Sequence, residues 1–183
     1  MRSFPIIALL LGCLLVVPSC NGDMDPETDD TAGYLKKDYG TVVKKFPDAA
    51  GSFFEAQYEL SGKVSETDLD ALKPVKVTYL FQWVGKDAVT YLASMERDFI
   101  TGKVSKIDLE GATAPRQYAK FGDFEGLISL EKALEQVKAS SFSPTEASVT
   151  LCAPLSNAVL RYYFSEGVSV DARTGEVSGP ELM

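Results

Sequence analysis

Two spacings of apolar residues alternate along the chain, one close to the helical repeat and one of period two. Residues 127–140 read LISLEKALEQVKAS, in which Leu130, Ala133, Leu134 and Val137 fall on one helical face. Ser129 is placed to cap that helix, Glu131 suits its positive end, and Ser140, Ser141 and Pro144 stop it. Period-two runs follow. Val149 and Leu151 share a face in 148–153. Leu160, Tyr162 and Phe164 share a face in 158–164, with Arg161 and Tyr163 on the other, and Val168 and Val170 continue the pattern after Gly167. Such alternation predicts strands with one face packed against the helix.

The first half repeats the scheme in a weaker form. Residues 34–46 predict a helix through Leu35, Val42 and Val43, although Gly40 weakens it. Phe54, Ala56, Tyr58 and Leu60 mark one strand. Val75, Val77, Tyr79, Phe81 and Trp83 mark a second, Gly85-Lys86-Asp87 turns the chain, and Val89, Tyr91, Ala93 and Met95 mark a third. Between the first two strands, 61–74 lengthens the hairpin or adds a short helix.

Each half closes on the same phrase, DFITGKVS at 98–105 and DARTGEVS at 171–178. Asp98 and Asp171 can bond to backbone two residues on and so begin a turn. Gly102 and Gly175 can take the left-handed position of a hairpin loop, with Thr101 and Thr174 beside them. Turn chemistry comes first for this motif, and ligand binding by either aspartate is the alternative. The expected fold class is α+β, as tandem helix-plus-antiparallel-sheet units over 34–110 and 111–183, the second clear and the first degenerate. The two could share one sheet or pack separately.

Residues 1–19 read as an export signal, with Arg2 at the start and an apolar run from Ile6 to Val17. Val17-Pro18-Ser19-Cys20 resembles a bacterial lipobox, which implies cleavage before Cys20 and lipid on its new N-terminus. Residues 20–33 then form an acidic flexible tether carrying Asp23, Asp25, Glu27, Asp29 and Asp30. A sorting signal is a sharper reading of it, since it resembles the surface-export signals of some Gram-negative lipoproteins. A calcium loop lacks the glycine and final glutamate it needs. The expected location is therefore the bacterial cell envelope, in the outer membrane, with the membrane as partner through the lipid on Cys20; exposure at the surface is what the sorting-signal reading would add.

Charge and composition narrow the chemistry. The 26 acids outnumber the 18 bases, a net charge of −8, which argues against nucleic acid as a partner. The chain has no histidine, so Ser-His-Asp and Cys-His catalysis and histidine metal sites are excluded. Of three cysteines, Cys13 lies in the signal and Cys20 takes lipid, which leaves Cys152 alone and without a disulfide, in a strand. No cofactor motif occurs.

The helix SLEKALEQVKAS, the aromatic run LRYYF and the closing V-x-V-D-A-x-T-G-E-V resemble a PepSY domain over 127–179, and 34–105 resembles a second copy. The first copy departs at Arg97 and Phe99, where Val170 and Ala172 stand. The resemblance implies a beta-lactamase-inhibitor-like fold and a role in restraining a peptidase or binding an envelope protein. The expected function is thus a lipid-anchored, non-enzymatic binding protein. The alternatives are an accessory subunit of a surface complex and a small-ligand binder. Trp83, Arg161, Tyr163 and Arg173 are candidate partner contacts, with core or solvated positions as the plainer reading of each. Tyr91 and Tyr162 could add to the aromatic anchors, and Lys103 is an exposed candidate at a turn. Were the protein an enzyme, Asp68 with Asp70 or Asp123 with Glu125 would be its acid pairs, though nothing orients them.

Overall fold

The computed structural model describes residues 30–68, 71–111, 113–114 and 118–179. The expected signal, most of the tether with Cys20, and Asp70 lie outside these residues. Helix α1 spans Thr31–Lys45 and helix α2 spans Leu130–Ala139. Eight strands form one antiparallel sheet: β1 (Phe53–Leu60), β2 (Pro74–Val84), β3 (Thr90–Asp98), β4 (Asp108–Glu110), β5 (Ser148–Cys152), β6 (Arg161–Tyr163), β7 (Ser169–Asp171) and β8 (Val177–Ser178). Their order is β4-β3-β2-β1-β5-β6-β7-β8. The α+β class is as expected, and the halves share one sheet. Each half carries a fourth short strand beyond the three that periodicity marks.

Register makes the two halves equivalent. Lys76 faces Asp98 and Val77 faces Arg97; Arg161 faces Asp171 and Tyr162 faces Val170. Tyr58 faces Val77 as Leu151 faces Tyr162. At the centre, Ala56 pairs Leu151 and Tyr58 pairs Val149 about the Gln57–Thr150 pair. A two-fold axis through that pair therefore exchanges the units. The helix N-termini meet on the same side: Thr31 Oγ donates to Glu131 at 2.8 Å and accepts from the Leu130 amide at 2.7 Å. Each helix thus helps satisfy the open amides of the other.

Helix α1 starts earlier than periodicity predicts. The Asp30 carboxylate accepts from the Gly33 amide, so the helix begins inside the stretch read as tether. Ser129 caps α2 in the same way, accepting from Lys132. Residues 61–68 form bends and turns, and Val64 and Leu72 of the 61–74 segment are buried in the core. Strand β6 is shorter than its apolar pattern because Ala158 takes a left-handed φ of 52° just before it.

One strand face needs correcting. Alternation places Phe54 with Ala56, but the ladder slips between Phe53 and Glu55. The irregularity puts Phe53 into the core opposite Phe81, while Phe54 stacks on Tyr118 at 6.1 Å, outside the core cluster.

The repeated phrase is a repeated turn. Asp98 Oδ1 accepts from the amides of Ile100 (2.8 Å) and Thr101 (2.9 Å). Asp171 Oδ1 accepts from Arg173 (2.9 Å) and Thr174 (2.8 Å). Gly102 and Gly175 sit at φ 68° and 76°. Burial pushes the Asp171 carboxyl up, but the Thr174 and Arg173 amides and Arg161 outweigh it, and its pKa falls below the usual carboxylate value. A depressed folded pKa contributes stability above the unfolded pKa that is lost as pH falls through the folded one. Asp171→Asn keeps the acceptor and removes the charge. Thermal unfolding between pH 7 and pH 2 is expected to show a flatter acid limb for this variant, and Asp171→Ala is expected to lose about 1 kcal/mol at neutral pH. An unchanged acid limb in Asp171→Asn would refute the assignment.

Candidate functional site

The halves differ most at one corner of the sheet. Helix α1 runs five residues longer than α2, β2 and β3 are far longer than β6 and β7, and a 3-10 turn at Pro47–Ala49 follows α1. These surplus parts enclose a cleft of about 410 Å³ lined by Lys45, Phe46, Pro47, Asp48, Trp83, Gly85, Lys86, Asp87, Tyr91 and Leu109. Its size falls in the range of small-ligand and side-chain pockets.

Its floor is aromatic. Phe46 lies 5.5 Å from Trp83, and Trp83 stacks on Tyr91 at 5.8 Å with planes 26° apart. Register explains the stack, because Trp83 and Tyr91 are cross-strand partners on the helix-facing side. The Tyr91 hydroxyl donates to Asp87 at 2.7 Å, and the Val89 amide donates to the same carboxylate at 3.2 Å. The Tyr91 bond, then the amide, hold the Asp87 carboxyl below its ordinary pKa. Gly85 makes room for this arrangement, since a Cβ there would lie 2.7 Å from the Tyr91 ring. The rim carries both signs of charge. Lys45 stands 5.3 Å from the Phe46 ring centre, and Lys86 is 3.9 Å from Asp48.

Of the candidate contacts, Trp83 is only 7% exposed and belongs to the core as well as the cleft floor. Arg161 is a cross-strand clamp: its guanidinium donates to Ser169 Oγ at 3.0 Å and Ser178 Oγ at 2.9 Å, with Asp171 at 3.9 Å. Arg173 donates to the Glu125 carbonyl at 2.6 Å and lies 3.8 Å from Asp123, so it holds the chain segment before α2. Tyr163 is half-buried on the sheet face away from the helices. These four are scattered, and of them only Trp83 lines the cleft. Tyr162 is buried and donates to the Ile128 carbonyl at 2.8 Å.

Around Asp98 lies a second groove, lined by Lys76, Glu96, Asp98, Lys103, Val104 and Ser105. It occupies the place that the Arg161 clamp fills in the other unit. Lys76 stands at the Arg161 position but turns to Glu96 at 2.9 Å.

Resolved proton equilibria run away from neutrality. Burial pushes the Cys152 thiol up to about 12 and raises the core phenols Tyr58, Tyr79 and Tyr162. Asp87, Asp98, Glu166 and Asp171 are all lowered. Among the described residues no group of three or more Cys, Asp or Glu side chains is placed to hold a metal ion, and no helix is long and apolar enough to cross a membrane.

Periodicity found Trp83 and Tyr91, but not Phe46 or Leu109. The signal available for Phe46 was its place at the C-terminal cap of α1, and for Leu109 an isolated leucine between two acids. Compared with models of protein families, with curated proteins and with solved structures, the chain has no match in any of the three.

Proposed function

We propose that the protein is a tandem PepSY-like, non-catalytic binding protein, held in the bacterial cell envelope by lipid on Cys20, that takes a partner protein at the aromatic cleft. The observation that carries the reading is the position of the cleft. It is built from α1, β2 and β3 where they exceed their counterparts in the other unit, so the shared scaffold is complete without it. Stacked aromatic rings open to solvent on one side and rimmed by charges are the usual make-up of an interface anchor site. The tandem reading is supported by the order of one helix and four strands in each unit, by the two-fold register and by the twin Asp-x-x-Thr-Gly turns. A non-catalytic role is supported by the absence of histidine from the chain and by the burial of the Cys152 thiol, which pushes its pKa up to about 12. Restraint of a peptidase is the activity the PepSY-like reading implies, and an accessory role in a surface complex is the alternative.

Capture from envelope and secreted extracts tests this, with the wild-type chain and Leu109→Glu side by side. Leu109 is 40% exposed on the cleft rim, so the charge should leave the fold intact. The expected result is a partner retained by the wild type and held about tenfold or more weakly by the variant, a loss of about 1.4 kcal/mol. A peptidase whose activity falls on adding the chain would support restraint, and enriched assembly proteins would support the subunit role. A partner held equally by both chains would remove the cleft from the account.

A further inference from the structure

Beside the cleft the sheet ends in an open edge, and from the two together we infer that the partner binds as an added β-strand along β4, with alternating apolar and basic residues. This rests on the cleft being the binding site. Strand β4 is the outermost strand, and all three of its residues are exposed. Among the described residues no strand pairs with its outer side.

Register fixes what each side of an added strand would meet. Leu109 pairs with Ala93, which faces the helices, so Leu109 carries that apolar face to the edge. Asp108 pairs with Ser94 and Glu110 with Leu92, so both carboxylates stand on the opposite face. The next residue, Gly111, has no side chain to cover Tyr91; a Cβ there would come within 3.6 Å of the ring. A strand laid against β4 would set its alternate side chains about 5 Å from these positions. Those on the helix side would enter the cleft beside Leu109 and over the exposed edge of Tyr91. Those on the other side would meet Asp108 and Glu110, where lysine or arginine is favoured and acid is repelled. Backbone pairing supplies the affinity in this mode, and side-chain pockets supply the choice of sequence. Acids on an edge strand also discourage pairing with a second copy of the same acidic edge.

Trp83 is the chain's single tryptophan and forms the cleft floor, so its emission reports occupancy. The full chain would be titrated with octapeptides free of tryptophan: alternating lysine and leucine, alternating glutamate and leucine, and a block peptide of the first composition. A saturable change in Trp83 emission is expected with the alternating basic peptide, at least about tenfold weaker with the other two. The exposed double variant Asp108→Lys/Glu110→Lys should reverse the preference between the two alternating peptides. Equal response to basic and acidic peptides, or a preference unmoved by the double variant, overturns the strand-addition inference while leaving the cleft as the site. A silent Trp83 with every peptide also overturns it. The cleft itself then stands or falls on capture with Leu109→Glu.

Discussion

Replacing Asp38 or Arg97 singly by alanine is expected to cost about 3–5 kcal/mol, while Asp38→Val combined with Arg97→Met is expected to be neutral or stabilising by about 1–4 kcal/mol. The side chains are 3% and 6% exposed as residues, and the guanidinium grips the carboxylate through two bonds, Nε to Oδ2 and Nη2 to Oδ1, both 2.6 Å. Removing one partner strands a charge in the core. Removing both trades two desolvated ions for packing, with methionine following the path of the arginine stem. The other unit shows that such packing suits the scaffold. Counted from the caps Asp30 and Ser129, Asp38 stands where α2 has Val137, and by register Arg97 stands where β7 has Val170. Urea unfolding of the four chains decides the matter. A double variant as weak as the single ones would mean the pair is worth more than its desolvation.

The same comparison explains what the sequence displays without explaining. Arg97 and Phe99 look like flaws in the first copy. Together with Tyr34 and Asp38 they form one cluster: Arg97 Cζ lies 4.5 Å from the Tyr34 ring centre, and Tyr34 meets Phe99 edge-on at 5.6 Å. In the second unit the corresponding residues are Ala133, Val137, Val170 and Ala172, all buried and apolar. The two units differ at all four positions together, two on a helix, one on a strand and one in the turn that follows it, and no local pattern links residues so far apart in sequence. A buried ion pair also tells two similar helices apart. Helix α1 on the wrong half would bury Asp38 against Val170 with no cation, a cost that hydrophobic patterning cannot impose.

Period two and period 3.6 are local signals, and the elements they marked are there, with the caps and turns that local chemistry specifies. The sheet order, strand β4 and the Phe53–Phe54 switch were not legible, because each depends on which strand lies alongside, whereas β8 follows from the hairpin turn that pairs Val177 with Val170. The cleft was legible only in part. Trp83 and Tyr91 stood out by alternation, but a site needs a boundary, and Lys45 and Phe46 reach it from the end of α1 while Leu109 reaches it from β4, far away in sequence. Arg161 and Arg173 looked free because sequence shows a cation but not its acceptors. Arg161 turns out to span β6, β7 and β8, and Arg173 holds backbone carbonyls of the segment before α2.

That segment is where the second large effect is expected. Gly122 lies against the turn that leads into β1: a Cβ at 122 would sit 2.8 Å from Gly51 Cα, 2.9 Å from Gly51 N and 2.7 Å from the Tyr39 hydroxyl. Two of those atoms are backbone and cannot rotate away. The third is committed, since the Gly51 amide donates to the Tyr39 hydroxyl at 2.6 Å. Gly122→Ala must therefore push the segment outward. Its neighbours are costly to move, because Phe121 exchanges backbone bonds with Phe53 at 3.0 and 2.7 Å, and Phe124 packs edge-on against Tyr39 and Phe53. Overpacking of this kind costs about 1–3 kcal/mol or more. Gly126→Ala is the control in the same segment, because its position is spatially open and only its φ of 69° opposes a side chain. The expected order of melting temperature is wild type, then Gly126→Ala, then Gly122→Ala. Gly122→Ala should also alter near-ultraviolet ellipticity, as the aromatic cluster around Tyr39 shifts. If Gly122→Ala melts with the wild type, the segment leading into α2 is not seated on Gly51.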